Sequence, residues 1–392
     1  PNLHGEGQSA PVEVAAAGGH LDVARELSSG EAPAAAEGRE SALYTAAASN
    51  DVDLIRLLLD AGVDPNRVVD SYIGTPFMVA IQNGHTEAIE ALLEAGASID
   101  VEAPRGGTAL GIAVSNNRSN VVQTLVEAGA DVRRPQRCGI TYLMGVKGPD
   151  VARVLLEAGA DVNAVDDAGR TALMWVVSSS VGFGYTGSEY TPAPLPDHRG
   201  AIRVLLDAGA NVDARGPEGR TALTLVAASR FGGDPEVVRM LLEAGADAGV
   251  VDGPGRTALL YAATSFDVKN STPRLQSFAK PDVVRLLVDA GSDPLLADEE
   301  GQTPLQIATL ERAEAVVAVM LERPGVLERI QPRELSGAEV REFVLSAALG
   351  HVARLEVLLA QGASPDRDTL GDRTALGEAA RSGQGPAARR LL

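Results

Sequence analysis

Five histidines and one cysteine carry most of this sequence's capacity for metal binding and nucleophilic chemistry, and their placement argues against both uses. A structural zinc site needs several imidazole or thiolate ligands converging on one point, and a triad needs a base within hydrogen-bond reach of its nucleophile. His20, His85 and His351 each follow a glycine at the same point of a recurring phrase, while His4 lies in the N-terminal stretch and His198 in a loop. No spacing brings two of them together. Cys138 is the sole cysteine, so an intrachain disulfide is excluded, and it is expected to be an inert, partly buried thiol. The paired acids Asp166–Asp167 and Glu299–Glu300 precede a Gly-x-Thr step, where carboxylates serve turns, so they are read as turn chemistry and not as an acid with its base. No phosphate-cradling Gly-x-x-x-x-Gly-Lys-Ser/Thr loop occurs. No enzyme, no cofactor and no metal site is expected within these residues.

Residues suited to gripping another protein are spread unevenly. Aromatics are only 3% of the chain, yet Phe183, Tyr185, Tyr190, Phe231, Phe266 and Phe278 fall in or beside three lengthened stretches, with Trp175 just before the first. Exposed rings are disfavoured unless something covers them, and interface anchors are rich in them. A partner-binding surface is therefore expected here, the alternative being that the loops bury these rings against one another. Arg133, Arg134 and Arg137 form one compact basic cluster in a chain of net charge −19. It is a candidate seat for an acidic segment or a phosphate, with plain solvation as the alternative.

The elements that must position these residues follow from two recurring phrases. One, of the form LLEAGAD, places glycines at 62, 96, 129, 159, 209, 245, 291 and 362, with a base period near 33 residues. The other, of the form GRTAL or GTPF, begins at 74, 107, 169, 219, 255 and 301. Its Thr suits an N-cap and its Pro a first helical position that has no hydrogen bond to lose. A short Ala-rich helix, a polar turn and a longer amphipathic helix follow, the second ending at a glycine suited to the left-handed C-terminal cap. The residues of these phrases, Thr75, Pro76, Gly84 and His85 in one unit and Thr303, Pro304 and Leu305 in another, resemble the ankyrin-repeat family. That resemblance implies an all-α solenoid of stacked helix-turn-helix units with short β-hairpin-like turns, and protein binding as its general activity.

Eleven units begin near residues 10, 41, 75, 108, 141, 171, 221, 257, 303, 343 and 374, the first, fifth, ninth and tenth degraded. The chain is thus expected to form one solenoid over 1–392. Residues 1–40 hold a degraded N-terminal repeat, 41–168 a first regular block, 169–300 repeats with long insertions at 178–199 and 265–280, and 301–392 a C-terminal block whose last repeat is incomplete. The insertions sit between the two helices of their units, so they should emerge side by side on one edge. On the inner face, variable first-helix positions include Gln82, Asn83 and Asn116, small or uncharged residues that form a secondary candidate contact.

The acidic balance argues against nucleic acid and anionic lipid as partners, and no apolar run approaches the length of a spanning helix. Only three lysines against abundant Arg, Ala and Gly suggest a GC-rich, bacterial genome. The expected function is a protein-interaction scaffold or assembly subunit. The alternative is a targeting or substrate-binding arm of a longer enzyme or secreted effector whose catalytic domain lies outside these residues. Neither the compartment nor the partner's identity is legible.

Overall fold

In a computed structural model, residue 11 and residues 33–71, 74–104, 106–180, 197–229, 233–264, 280–311, 313–332, 334–366, 369–371 and 373–392 are described. Nearly all regular structure among the described residues is helical, and most repeats pair a shorter first helix with a longer second, but the helices Pro33–Ser49 and Gly337–Leu349 are longer than those that follow them and the last two helices are equal in length. The chain divides into two compact units, one of residues 1–167 and 192–209, the other of 168–191 and 210–392.

The first unit contains α1 (Pro33–Ser49), α2 (Val52–Asp60), α3 (Pro76–Asn83), α4 (Thr86–Glu94), α5 (Ala109–Ser115), α6 (Ser119–Glu127), α7 (Pro149–Glu157) and α9 (His198–Asp207). The second contains α8 (Ala172–Ser180), α10 (Ala222–Ala227), α11 (Pro235–Glu243), α12 (Ala258–Ala263), α13 (Pro281–Asp289), α14 (Pro304–Leu310) and α15 (Glu314–Leu321). It continues through α16 (Gly337–Leu349), α17 (Val352–Ala360), α18 (Ala375–Arg381) and α19 (Gly385–Leu391). Strand structure among the described residues is confined to the turns, here called fingers. A two-residue hairpin pairs β1 (Thr369–Leu370) with β2 (Arg373–Thr374), and single bridges join Asp70 to Gly74, Glu102 to Thr108 and Val251 to Thr257.

The caps form as the phrases require. Thr75, Thr108, Thr221, Thr257, Thr303 and Thr374 each accept, at 3.1 to 3.3 Å, the N–H three residues on. Each such bond satisfies one of the donors that a helix start leaves free. The glycines after the second helices take φ between +81° and +107°, where a Cβ would be strained. The core is made of the residues between these caps. In α3 and α4, Phe77, Met78, Ala80, Ile81, Ile89 and Leu92 are essentially inaccessible, each large side chain contributing about 1.5 to 3 kcal/mol by leaving water.

Two repeats depart from the pattern. In the fifth, only a 3-10 turn, Tyr142–Gly145, stands where a first helix should be. Gly148 and Pro149 follow too soon for another turn, and the buried hydroxyl of Thr141 caps nothing. In the tenth, the first helix begins at 337, six residues before the expected 343. Ser336 supplies the reason: its Oγ accepts from Glu339 N at 3.3 Å while Glu339 Oε2 accepts from Ser336 N at 2.9 Å. That reciprocal box is a strong start signal, and the phrase-based boundary passed over it.

Candidate functional site

In the second unit, three first helices place one residue each four positions after the capping Thr: Trp175, Leu225 and Tyr261. Trp175 is half-buried, and the guanidinium of Arg170, just before the cap, lies 4.1 Å from the centre of its rings. Arg220 repeats the arrangement across to the next repeat, 5.4 Å from the ring centre of Tyr261, and binds Glu218 at 2.7 Å. Tyr261 donates to Asp252 Oδ2 at 2.6 Å, and burial, followed by that carboxylate, raises its phenol above the ordinary range. Arg256 reaches Asp298 at 3.2 Å and Glu300 at 3.3 Å. Cations held over aromatic faces in partly dry settings are suited to anchoring a partner.

Other carboxylates serve the fingers themselves. Asp166, Asp252 and Asp298 are buried. Asp252 Oδ1 accepts Arg256 N at 2.8 Å and Asp298 Oδ1 accepts Gln302 N at 2.9 Å, so each carboxylate organises its own finger.

The basic cluster lies in the first unit and is not one patch. Arg133 donates to the carbonyl of the cap glycine Gly159 at 2.8 Å, which ties it to the next repeat. Arg134 binds Glu102 at 2.9 Å and Asp100 at 3.6 Å. Arg137 is exposed and stands at the mouth of a cavity between successive fingers. Cys138, next to it, is exposed and not partly buried, and its φ of +60° places it in a left-handed turn.

Of the inner-face residues, Gln82 and Asn116 are exposed. Asn83 is also exposed but donates to the carbonyl of Ala48 at 2.9 Å, so part of its capacity serves the stack. His85 donates to the same carbonyl at 3.0 Å, which makes the histidine after the glycine structural, as its position suggests. Lysine makes a similar reach in two other repeats, Lys280 from the same position and Lys147 from the residue before it: Lys147 reaches Ser115 O at 2.6 Å, and Lys280 reaches Ala227 O at 2.8 Å and Ser229 O at 2.7 Å. His198 is not in a loop; it opens α9 behind the cap Asp197, and burial, then Lys147, lowers its pKa.

Phe183, Tyr185, Tyr190, Phe231, Phe266 and Phe278 lie outside the described residues. The lengthened stretches do fall between the helices of their repeats: residues 181–196 separate α8 from α9, and 265–279 separate α12 from α13. Lys280, the first described residue after the latter, is bound to the carbonyls of Ala227 and Ser229. Burial pushes its ammonium down to about 8 although two carbonyls accept from it.

Sequence spacing missed one cluster altogether. Arg354 is fully buried between α14, α16 and α17; it pairs with Glu342, donates to Thr309 O at 3.2 Å and donates to His351 Nδ1 at 2.9 Å. The signal available was an Arg at a helix position otherwise filled by aliphatic residues. Among the described residues, no group of three or more His, Cys, Asp or Glu side chains is placed to hold a metal ion, and no helix is long and apolar enough to cross a membrane.

Helix pairs with Thr and Gly caps, joined by fingers whose buried Asp and bridging Arg repeat from unit to unit, define a class of repeat protein. The profile of ankyrin repeats matches residues 67–136, 196–272 and 225–329, more than half of the chain, and a second ankyrin-repeat profile matches 38–67. The chain belongs to the ankyrin-repeat family, whose repeats generally mediate protein–protein interaction.

Among individual relatives, "Ankyrin repeat and SOCS box protein 2" of Bos taurus is 41% identical over 83 residues, 21% of this chain and 12% of that protein. The Mus musculus protein of the same name is 48% identical over 62 residues, 9% of its length. "E3 ubiquitin-protein ligase KEG" of Arabidopsis thaliana is 36% identical over 86 residues, 5% of its length. The matches thus span about a tenth or less of these relatives. Among solved structures, the ankyrin repeat domain of Bcl-3 is similar with a TM-score of 0.49 and 24% identity over 64% of this chain and 99% of that one. That of human ASB11 gives 0.48 and 21% over 64% and 98%.

Proposed function

We propose that this chain is the recognition arm of a larger assembly. It binds a partner protein through the aromatic residues of the insertions at 178–199 and 265–280 together with Trp175 at the root of the first. Gln82, Asn83 and Asn116 on the inner face and the fingers around Arg137 add secondary contacts. One observation carries this reading: the only tryptophan of the chain is left half-buried beneath Arg170, three residues before the longest insertion, instead of being packed into the core. A Trp–Arg pair held this way has already lost much of its conformational freedom and needs only a partner to exclude the remaining water.

The test is a pull-down from the source organism with the intact chain as bait, beside Trp175→Ala and a triple Tyr185→Ala/Tyr190→Ala/Phe278→Ala variant. Both variants are expected to keep the helical content and to lose the partner retained by the intact chain. Equal retention by all three forms would remove the insertions from the binding surface.

A second reading, the targeting arm of a longer enzyme, is favoured by the relative whose name is E3 ubiquitin-protein ligase and of which the match covers only 5%. Reading the gene on both sides of residues 1–392 tests it: a neighbouring catalytic domain in the same frame supports it, and a stop codon on each side removes it.

A further inference from the structure

The fingers of the first unit border an open cleft of about 510 Å³, lined by Glu102, Thr108, Arg134, Gln136, Arg137 and Ile140 among others. That volume lies within the range of sites that take a ligand or a few residues of a peptide, roughly 300 to 1,000 Å³. The half-buried Ile140 gives it an apolar part, and Thr108 is committed beneath to Tyr142 Oη at 2.8 Å. Glu102 and Arg134, already paired, form one polar side.

The arginine at its mouth is the exception among the described finger arginines. Arg67 is matched by Glu40, Arg134 by Glu102, Arg220 by Glu218, Arg256 by Asp298, Arg329 by Asp293 and Arg373 by Glu378. Arg133, Arg215 and Arg323 donate to the carbonyls of Gly159, Val251 and Gly291, and Arg170 lies over Trp175. Among the described residues Arg137 meets neither a carboxylate nor a carbonyl, in a chain with 53 acidic side chains against 34 Lys and Arg. Its guanidinium rests against the main chain at Gly106, where a Cβ would stand 3.3 Å from Cζ and Nη2. The fork is thereby held at the cavity mouth with its donors unspent.

We infer that this cleft seats an acidic segment of a partner protein, one carboxylate engaging the Arg137 fork and an adjacent apolar side chain lying over Ile140. A planar guanidinium suits a carboxylate in two parallel hydrogen bonds, and such charge-assisted pairs set register as well as affinity. The inference rests on the reading of the chain as a protein-binding arm, but its site is distinct from the Trp175 surface, and each is tested by its own variants.

Cys138, exposed and adjacent to Arg137 in the chain, is the only thiol, so a ligand on Arg137 large enough to cover the next residue is read from its alkylation alone. The rate of its alkylation by the neutral reagent N-ethylmaleimide is measured at low ionic strength with millimolar acetylated and amidated Glu-Leu-Glu-Leu-Glu, and with the matching Gln peptide. The acidic peptide is expected to slow the reaction about threefold or more, with protection fading as salt rises and absent for the Gln peptide. Arg137→Glu is expected to abolish protection, whereas Arg118→Glu, an exposed arginine away from the cavity, keeps it; thermal melts confirm that both variants are folded. Equal protection by the Gln peptide, or protection that survives Arg137→Glu, overturns the inference. So does no protection at all. Equal protection by inorganic phosphate makes the cleft a small-anion site and overturns the peptide assignment.

Discussion

Arg354 shows how one side chain sets the properties of its surroundings. A guanidinium with no solvent access loses its hydration, and the carboxylate of Glu342, the Thr309 carbonyl and His351 Nδ1 together replace it. Removing one partner strands the other charge, whereas removing both need not. Glu342→Gln is expected to lower stability by about 3 to 5 kcal/mol in urea denaturation, and Glu342→Leu combined with Arg354→Met by much less. Single and double variants of equal cost would mean that leaving the Arg354 charge without its carboxylate carries no penalty of its own. Lys280 gives a pH dependence of its own. Its pKa is about 8 folded against 10.5 unfolded, so the folded state resists the charge. The penalty is complete below pH 8 and is relieved as pH rises through the interval to 10.5, because there the unfolded chain binds more protons. Wild type should therefore gain stability relative to Lys280→Met between pH 8 and 10, measured as paired urea midpoints; a constant difference would contradict the depressed pKa. The partners of neither residue were legible, since they include groups 12 to 53 positions away.

At the scale of elements, much more was legible. Cap residues act within three or four positions of themselves, so Thr, Pro and Gly could be read directly from the phrases, and the helices start and stop where these residues stand. The exceptions have local causes too. The fifth repeat loses its first helix to Gly148 and Pro149, and α16 starts early on the Ser336–Glu339 box. Thr303→Ala in α14 is expected to cost about 1 kcal/mol, the usual effect of losing one capping bond. Ser336→Ala should cost at least as much, because it removes the bond to Glu339 N and leaves Glu339, which also bonds Ser336 Oγ at 2.8 Å, without its partner hydroxyl. Thermal melts of the two variants side by side check both. The aromatic insertions stand at the opposite end of legibility. They carry no cap phrase and no periodicity, so their length and composition could be read but not their packing.

For the molecule as a whole, repeats that contact chiefly their neighbours make stability a sum of local terms. Disrupting the Arg354 cluster with Glu342→Gln should therefore raise amide hydrogen exchange in α14 to α17 while α3 to α6 keep wild-type protection; uniform acceleration along the chain would show a single cooperative block instead. The solenoid class was legible because its signature is repetition. The pairing of finger arginines was not, because an Arg and its acid from the adjoining repeat sit some 30 to 45 residues apart, as with Arg134 and Glu102 or Arg256 and Asp298, beyond any local pattern.

The reach of His85, Lys147 and Lys280 back to a carbonyl of an earlier repeat ends on main chain. Every residue type offers that acceptor, so the donor does not depend on which sequence precedes it. A repeat carrying such a donor can be duplicated, lost or transposed along the gene and still find its bond at the new junction. The cross-repeat pairs of the fingers, Arg134 with Glu102 and Arg256 with Asp298, in contrast need both side chains to be present at the junction.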